Sequence, residues 1–279
     1  MIKKVLVGVD VNISESMPMD YAASLCKVLG AELVALHVIE ELQVYNLFGS
    51  VPALKRDEIL KEREAIVIEA NRLGEKYGIK ATGKIVEGMS PAEETLREAH
   101  EEGFDLIVTG CHAKSALMEC LLGGVSSQIV HHSKIPVLIV KSKRSFSRIL
   151  MCTGGSSYAE DAIAWASEIA EKAGSRVTVL SVAPSKDKKV VQVAQKYANR
   201  GVKILKKRGI EATAMVRTGH PAEEILVEAR EKDYRMIVMG HKGTSAVVNL
   251  LLGDVVSKVT HHSRRPTLVF REGGLEETQ

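Results

Sequence analysis

Short apolar runs alternate along this chain with longer stretches in which apolar residues recur every third or fourth position. Lys3 to Asp10, Leu33 to Ile39 (interrupted only by His37), Leu106 to Val108 and Val137 to Val140 read as buried strands. Ile79 to Val86 alternates and suits a strand nearer a sheet edge. Between these runs, Met19, Ala22, Cys26 and Leu29, then Ile66, Ala70, Leu73 and Tyr77, then Ala92, Leu96 and Ala99 fall at helical spacing. Gly30 and Gly78 stop the first two helices. Ser90-Pro91-Ala92-Glu93 opens the third, with serine at the N-cap, proline at the first helical position and glutamate where a capping box places it. Residues 40–57, which include Gly49 and Pro52, read as a long loop or short excursion.

The pattern then restarts. Strands are expected at Ile149 to Thr153, Val177 to Val182, Ile210 to Val216, Met236 to Met239 and Thr267 to Phe270. Helices are expected around Ala162, Ala166, Ile169 and Ala173, from about Lys188 to Lys207, and from Pro221-Ala222-Glu223-Glu224, which repeats Pro91-Ala92-Glu93-Glu94. Trp165, among alanines, reads as core. Five strands alternating with four helices in each half predict an α/β fold of two doubly wound, parallel, five-stranded sheets.

Asp105 to Lys141 and Arg235 to Arg271 are one unit written twice. At a constant offset of 130 residues, Gly110 meets Gly240, Ser115 meets Ser245, Gly123 meets Gly253, and His131-His132-Ser133 and Pro136 meet His261-His262-Ser263 and Pro266. Over the first two strands the offset is 144, and the 14 extra residues fall in the first half's longer loop. The repeat predicts domains at 1–141 and 148–271, joined by a basic, serine-rich linker, with residues 272–279 a frayed tail.

Composition narrows the function classes. The 279 residues are 45% hydrophobic but only 4% aromatic, so aliphatic side chains must build the cores. A net charge of +3 arises from 38 basic and 35 acidic side chains interspersed along the chain, which argues against a dedicated nucleic-acid or membrane surface. No apolar run approaches a membrane span, and the N-terminus enters a strand directly, so neither a span nor a signal peptide is expected. Cys26, Cys111, Cys120 and Cys152 show no C-x-x-C spacing, which fits a reduced, cytosolic protein.

In both copies a strand ends on glycine (Gly110, Gly240), a loop follows, and a second glycine (Gly123, Gly253) precedes a helix. That order aims backbone N–H groups and the positive end of a helix dipole at an anion. Ligands of such sheets bind outside the carboxyl ends of the strands, where Asp10, the Gly110 loop and Gly123 converge. The glycines also suit plain turns, and Asp10 equally suits a helix N-cap.

These residues resemble the universal stress protein family, as two domains in tandem, and the resemblance implies its Rossmann-like, adenine nucleotide alpha hydrolase-like fold. Its nucleotide-binding members share glycine, two residues, glycine, nine residues, then glycine and a hydroxyl residue. The second half has Gly240-x2-Gly243-x9-Gly253, then Asp254; the first has Gly110, Ala113, then Gly123-Gly124. The resemblance implies that Asp10 faces the nucleoside, with Gly154 at its place in the second half, and that the backbones of Val38 and Val182 meet adenine. Ser126 supplies a second phosphate-side hydroxyl that Val256 lacks, and Gly8, Thr109, Val125, Met239 and Val255 complete the candidate nucleotide set.

With its carboxylate and Ser126, the first half is expected to bind more tightly than the second, where Asp254 faces the phosphates. The missing hydroxyls at Gly124 and Asp254 favour AMP or ADP over ATP. A regulatory, non-catalytic stress-response protein is expected, since no P-loop lysine or nucleophile–base pair accompanies the glycines. A nucleotide-independent dimerisation module is the alternative, and an ATPase or nucleotidyl transferase a weaker third. His131-His132 and His261-His262 do not read as metal ligands, because adjacent helical residues diverge. Cys111-His112 reads as loop decoration rather than a nucleophile pair. The resemblance implies an antiparallel contact between the two last strands, within one chain or, preferred here, in a homodimer of tandem chains.

Overall fold

The computed structural model describes residues 1–9, 17–40, 53–111, 122–242 and 252–271. Asp10, His112, Ala113, Cys120 and Gly243, the 41–52 part of the expected loop and the tail lie outside these residues, as do the side chains of residues 53–60, 62 and 63.

The first half comprises β1 (Lys4–Gly8), α1 (Met17–Leu29), β2 (Glu32–Glu40), α2 (Ala53–Tyr77), β3 (Ala81–Gly88), α3 (Pro91–Glu101), β4 (Leu106–Thr109), α4 (Gly124–His132) and β5 (Val137–Ile139). The second comprises β6 (Arg148–Cys152), α5 (Ser157–Lys172), β7 (Arg176–Ala183), α6 (Lys188–Lys206), β8 (Ala212–Thr218), α7 (Pro221–Glu231), β9 (Met236–Gly240), α8 (Asp254–His262) and β10 (Thr267–Phe270). The expected α/β class therefore holds. Helix α2 starts at Ala53, inside the stretch read as loop. No strongly amphipathic pattern marks its first turns, so that start was not legible.

Ten strands form one sheet in the order β3-β2-β1-β4-β5-β10-β9-β6-β7-β8. Among the described residues each half is parallel, and the halves meet at one antiparallel pair, β5 against β10, with Leu138 opposite Leu268. The last-strand contact thus closes within one chain, against the preference for a homodimer. The same strand edges cannot also pair between two chains, because each hydrogen-bonding edge is already taken.

Successive residues of a strand point to opposite faces, and each face is buried. Val5, Val7, Leu138, Val140, Ile149 and Phe270 belong to one apolar cluster that runs across both halves. Leu6, Ile107, Val137, Ile139, Ile237 and Val269 belong to the other. Trp165 is only half-buried and packs against Phe270, ring centroids 6.1 Å apart. The linker is pinned rather than loose. Phe146 packs edge-on against Tyr21 at 5.1 Å, and Lys143 Nζ lies 2.5 Å from the Asp20 carboxylate. Burial alone would raise the Asp20 carboxyl, but hydrogen bonds from Lys143, Lys76 and Tyr77 outweigh it and hold the pKa at about 2. No helix among the described residues is long and apolar enough to cross a membrane.

Candidate functional site

Strand order reverses between β1 and β4 in the first half and between β6 and β9 in the second. At the second reversal a cavity of about 790 Å³ opens at the carboxyl ends of β6, β7 and β9. Cys152, Leu180, Val182 and Met239 line it from the sheet, Val190, Val193, Ala194 and Tyr197 from α6, and Gly253, Asp254 and Val255 from the start of α8.

Local sequence explains how these walls come together. Gly155 has φ +82, and a Cβ there would lie 2.4 Å from the Tyr197 ring, so glycine alone lets Tyr197 lie on the loop after β6. A Cβ on Gly240 would meet the Tyr158 carbonyl oxygen at 2.5 Å, so that glycine lets α5 approach the end of β9. Ser156 caps α5, accepting from the Ala159 N–H at 3.3 Å, and its hydroxyl donates to the Lys242 carbonyl at 3.1 Å. One serine thereby ties the β6 loop to the β9 loop. The N-cap of α8, Gly253, offers no side-chain hydrogen bond, so the first N–H groups of that helix meet no side-chain cap at the cavity mouth.

The charges of the site differ from the sequence reading. Lys242 lines the cavity with 6% exposure and makes no ion pair among the described residues. Asp254 also lines the mouth, but its side chain is 77% exposed and sits 3.0 Å from Lys258 Nζ, one turn along α8. Behind this wall His241 packs edge-on against Tyr158 at 4.5 Å, its Nδ1 buried without a partner. Burial first, then Arg271 and Lys242, push its pKa down to about 4, so it is neutral near pH 7.

Val182, Met239, Gly240, Gly253, Asp254 and Val255 therefore share one cavity, with Gly154 where the first half has Asp10. In the first half, Gly8 ends β1, Val38 pairs with Val86 near the end of β2, and Thr109 and Gly110 close β4. Gly123 caps α4 without a side-chain bond, as Gly253 caps α8, and Gly124 and Val125 open that helix. Ser126 departs from its expected role. Its hydroxyl donates to the Gly110 carbonyl at 2.7 Å and sits 2.7 Å from the Thr109 hydroxyl. Its one proton is thus committed to holding α4 against β4 and is not offered to a phosphate.

The paired histidines have local roles. His131 Nδ1 is 2.7 Å from the Ser127 carbonyl and His261 Nδ1 2.9 Å from the Ser257 carbonyl, so each ring donates one turn back along its helix. No cluster of three metal-ligating side chains occurs among the described residues. Cys26 and Cys152 are buried free thiols, with burial pushing Cys26 up to about 12 and Cys152 higher still. Cys111 is disulfide-bonded, against the reduced reading of the four cysteines.

Lys242, Ser156 and Tyr197 were missed in the sequence. Lys242 sits between Gly240 and Gly243, inside the glycine loop. Val190, Val193, Ala194 and Tyr197 form an apolar stripe at helical spacing that lines the cavity.

The universal stress protein family model matches residues 1–141 and again 145–271. The Bacillus subtilis universal stress protein YxiE is 36% identical over 149 residues, covering 50% of this chain and 100% of that protein. Slr1230 of Synechocystis is 23% identical over 298 residues, covering 96% of this chain and 100% of its own. The crystal structure of a universal stress protein from Archaeoglobus fulgidus matches with TM-score 0.73 at 25% identity, over 98% of this chain and 97% of that one. With both halves matched and the fold shared along the whole chain, this protein belongs to the universal stress protein family, as two domains in tandem.

Proposed function

We propose that the cavity at the carboxyl ends of β6, β7 and β9 binds an adenine nucleotide, and that the protein works as a stress-response regulator through that binding rather than as a catalyst. One observation carries this reading: a cavity of about 790 Å³ has apolar walls on one side and, at its mouth, a helix start with no side-chain cap beside a buried lysine. The walls suit a base and the mouth suits phosphate. The family resemblance supports the same ligand class.

In this reading the second half holds the principal site, which reverses the ranking drawn from the sequence. Lys242 supplies a cation, and Lys258 offsets the Asp254 charge. Gly154 removes the carboxylate that Asp10 offers a ribose, so base stacking and phosphate contacts carry more of the affinity. The first half, with Gly8, Val38, Gly110 and Gly123 at the matching strand and helix ends, holds a second, weaker site. Fewer phosphates remain favoured, because residue 254 lacks the hydroxyl donor. Mass spectrometry of ligand released from purified protein, followed by calorimetry with AMP, ADP and ATP, tests the proposal. AMP or ADP is expected, and a ligand-free protein that no adenine nucleotide titrates overturns it.

A further inference from the structure

A second cluster lies at the opposite pole of the sheet, at the amino ends of β6, β9 and β10. Asp233, in the left-handed region at φ +49, receives three guanidinium groups on one carboxylate. Arg235 Nη2 is 2.7 Å from its Oδ2, while Arg265 Nη2 and Arg144 Nη1 are 3.4 Å and 3.7 Å from its Oδ1. A fourth, Arg148, stacks 5.1 Å from the centroid of the neighbouring Tyr234 ring. Three guanidinium groups thus meet one carboxylate, with a fourth on the neighbouring ring. Each guanidinium carries five N–H donors, so the carboxylate satisfies only a fraction of them.

The first half shows what the fold itself requires here. At the matching positions stand Asp105 for Arg235, Ile135 for Arg265, Gly103 for Asp233 and Lys4 for Arg148. Asp105 accepts from the backbone N–H of Lys3 at 2.7 Å and of Lys4 at 3.0 Å, and Lys4 Nζ donates to the Glu102 carbonyl at 2.9 Å. That pole is balanced and needs no arginine. In the second half, the Arg265 side chain is only 12% exposed. Burial, Arg144 and Arg235 all work against its charge, and Asp233 alone supports it. Concentrating like charges on a partly buried residue is unfavourable unless an anion joins them.

We infer that Arg144, Arg235 and Arg265 form an anion site for a small multivalent phosphate-class oxyanion, such as pyrophosphate, separate from the nucleotide cavity. Planar guanidinium forks match the oxygens of such an anion in pairs. The trio is compact, since all three reach one carboxylate, which favours a small ligand over an extended acidic surface.

The test is calorimetric titration of the full chain with inorganic pyrophosphate in chloride buffer. Wild type is set beside R235D, R265I and R144Q. The first two install the first half's own residues, and Arg144 lies in the linker, where the change touches no strand. Melting curves confirm that each variant is folded. Wild type is expected to bind pyrophosphate, and each folded variant to lose roughly ten-fold or more in affinity, with the response to ADP unchanged. No pyrophosphate binding by wild type, or binding that survives in all three variants, overturns the site. Failure of ADP alone to bind bears on the cavity and leaves this result standing.

Discussion

Lys141 Nζ donates to the His261 carbonyl at 2.6 Å, reaching from the end of the first half's last strand to the last turn of the second half's last helix. Arg271, 130 residues on, returns the contact, its Nη1 donating to the carbonyl of Ser133 at 3.1 Å, the C-cap of α4. Each cation lies at a helix C-terminus, where it meets unpaired carbonyls and the negative end of the dipole. The two domains are therefore stapled about the β5–β10 pair by reciprocal caps.

Replacing Lys141 by Met removes one of these caps from a buried setting. Stability should fall by about 1–3 kcal/mol, read from urea unfolding. Because one apolar cluster crosses both halves, wild type should unfold in a single transition. Two separated transitions in wild type would show that the halves fold independently.

A lysine at Ile139 introduces a charge into the sheet seam, where Ile139 is fully buried opposite Thr267. It should destabilise the fold by at least about 3 kcal/mol. Sedimentation of any folded fraction should show the same mass as wild type, since the seam lies within one chain. A halved mass would restore the intermolecular contact.

The sequence carried the fold through two regularities, the strand–helix alternation and the repeat at fixed offset. His37, for example, breaks the apolar run of β2 yet stays buried, its Nδ1 3.0 Å from the Val9 carbonyl. Pattern placed Gly240 and Gly253 at one site because strand ends and helix starts are written locally, and the family resemblance added Val182. It could not place side-chain directions. Ser126 turns inward to Gly110, Asp254 pairs with Lys258 one turn on, and Lys242 is buried with its Nζ over the Tyr158 ring; none of these directions is written in the spacing alone. Nor could pattern decide whether β5 pairs within or between chains, since both satisfy the same edges.

Lys242→Met should weaken ADP binding by about 1.5–3 kcal/mol, the range for a hydrogen bond to a charged group. Adenosine, lacking phosphate, should be nearly unaffected. Equal losses for both ligands in calorimetry would remove Lys242 from the phosphate path.

Asp254→Ser restores a hydroxyl donor at the start of α8 and deletes a carboxylate already screened by solvent and by Lys258. ATP affinity should rise by only about 0.5–1 kcal/mol, with less change for AMP. A gain several times larger would mean that Asp254 faces the phosphates directly.

His241 sets a pH dependence. Its folded pKa of about 4 lies below the ordinary 6.5, so the unfolded chain binds more protons between these values. Stability is then full above about pH 6.5 and declines as pH falls towards 4, by up to about 3 kcal/mol. Asp20, held at about 2, adds a further loss only below its ordinary 3.8. His241→Phe should flatten the upper window in pH-dependent denaturation and leave the lower one intact; an unchanged slope between pH 4 and 6.5 would exclude His241 as its source.

The cavity of the second half can be filled without disturbing the core. Val193 lines it from α6 yet is 41% exposed, so Val193→Trp adds an indole at the opening. The most direct test is calorimetric titration of ADP into ligand-stripped wild type and Val193→Trp, with melting curves to show that both are folded. Wild type should bind ADP and the variant should lose the tighter component. An absence of binding in wild type, or an identical isotherm in the variant, would contradict an adenine nucleotide in this cavity.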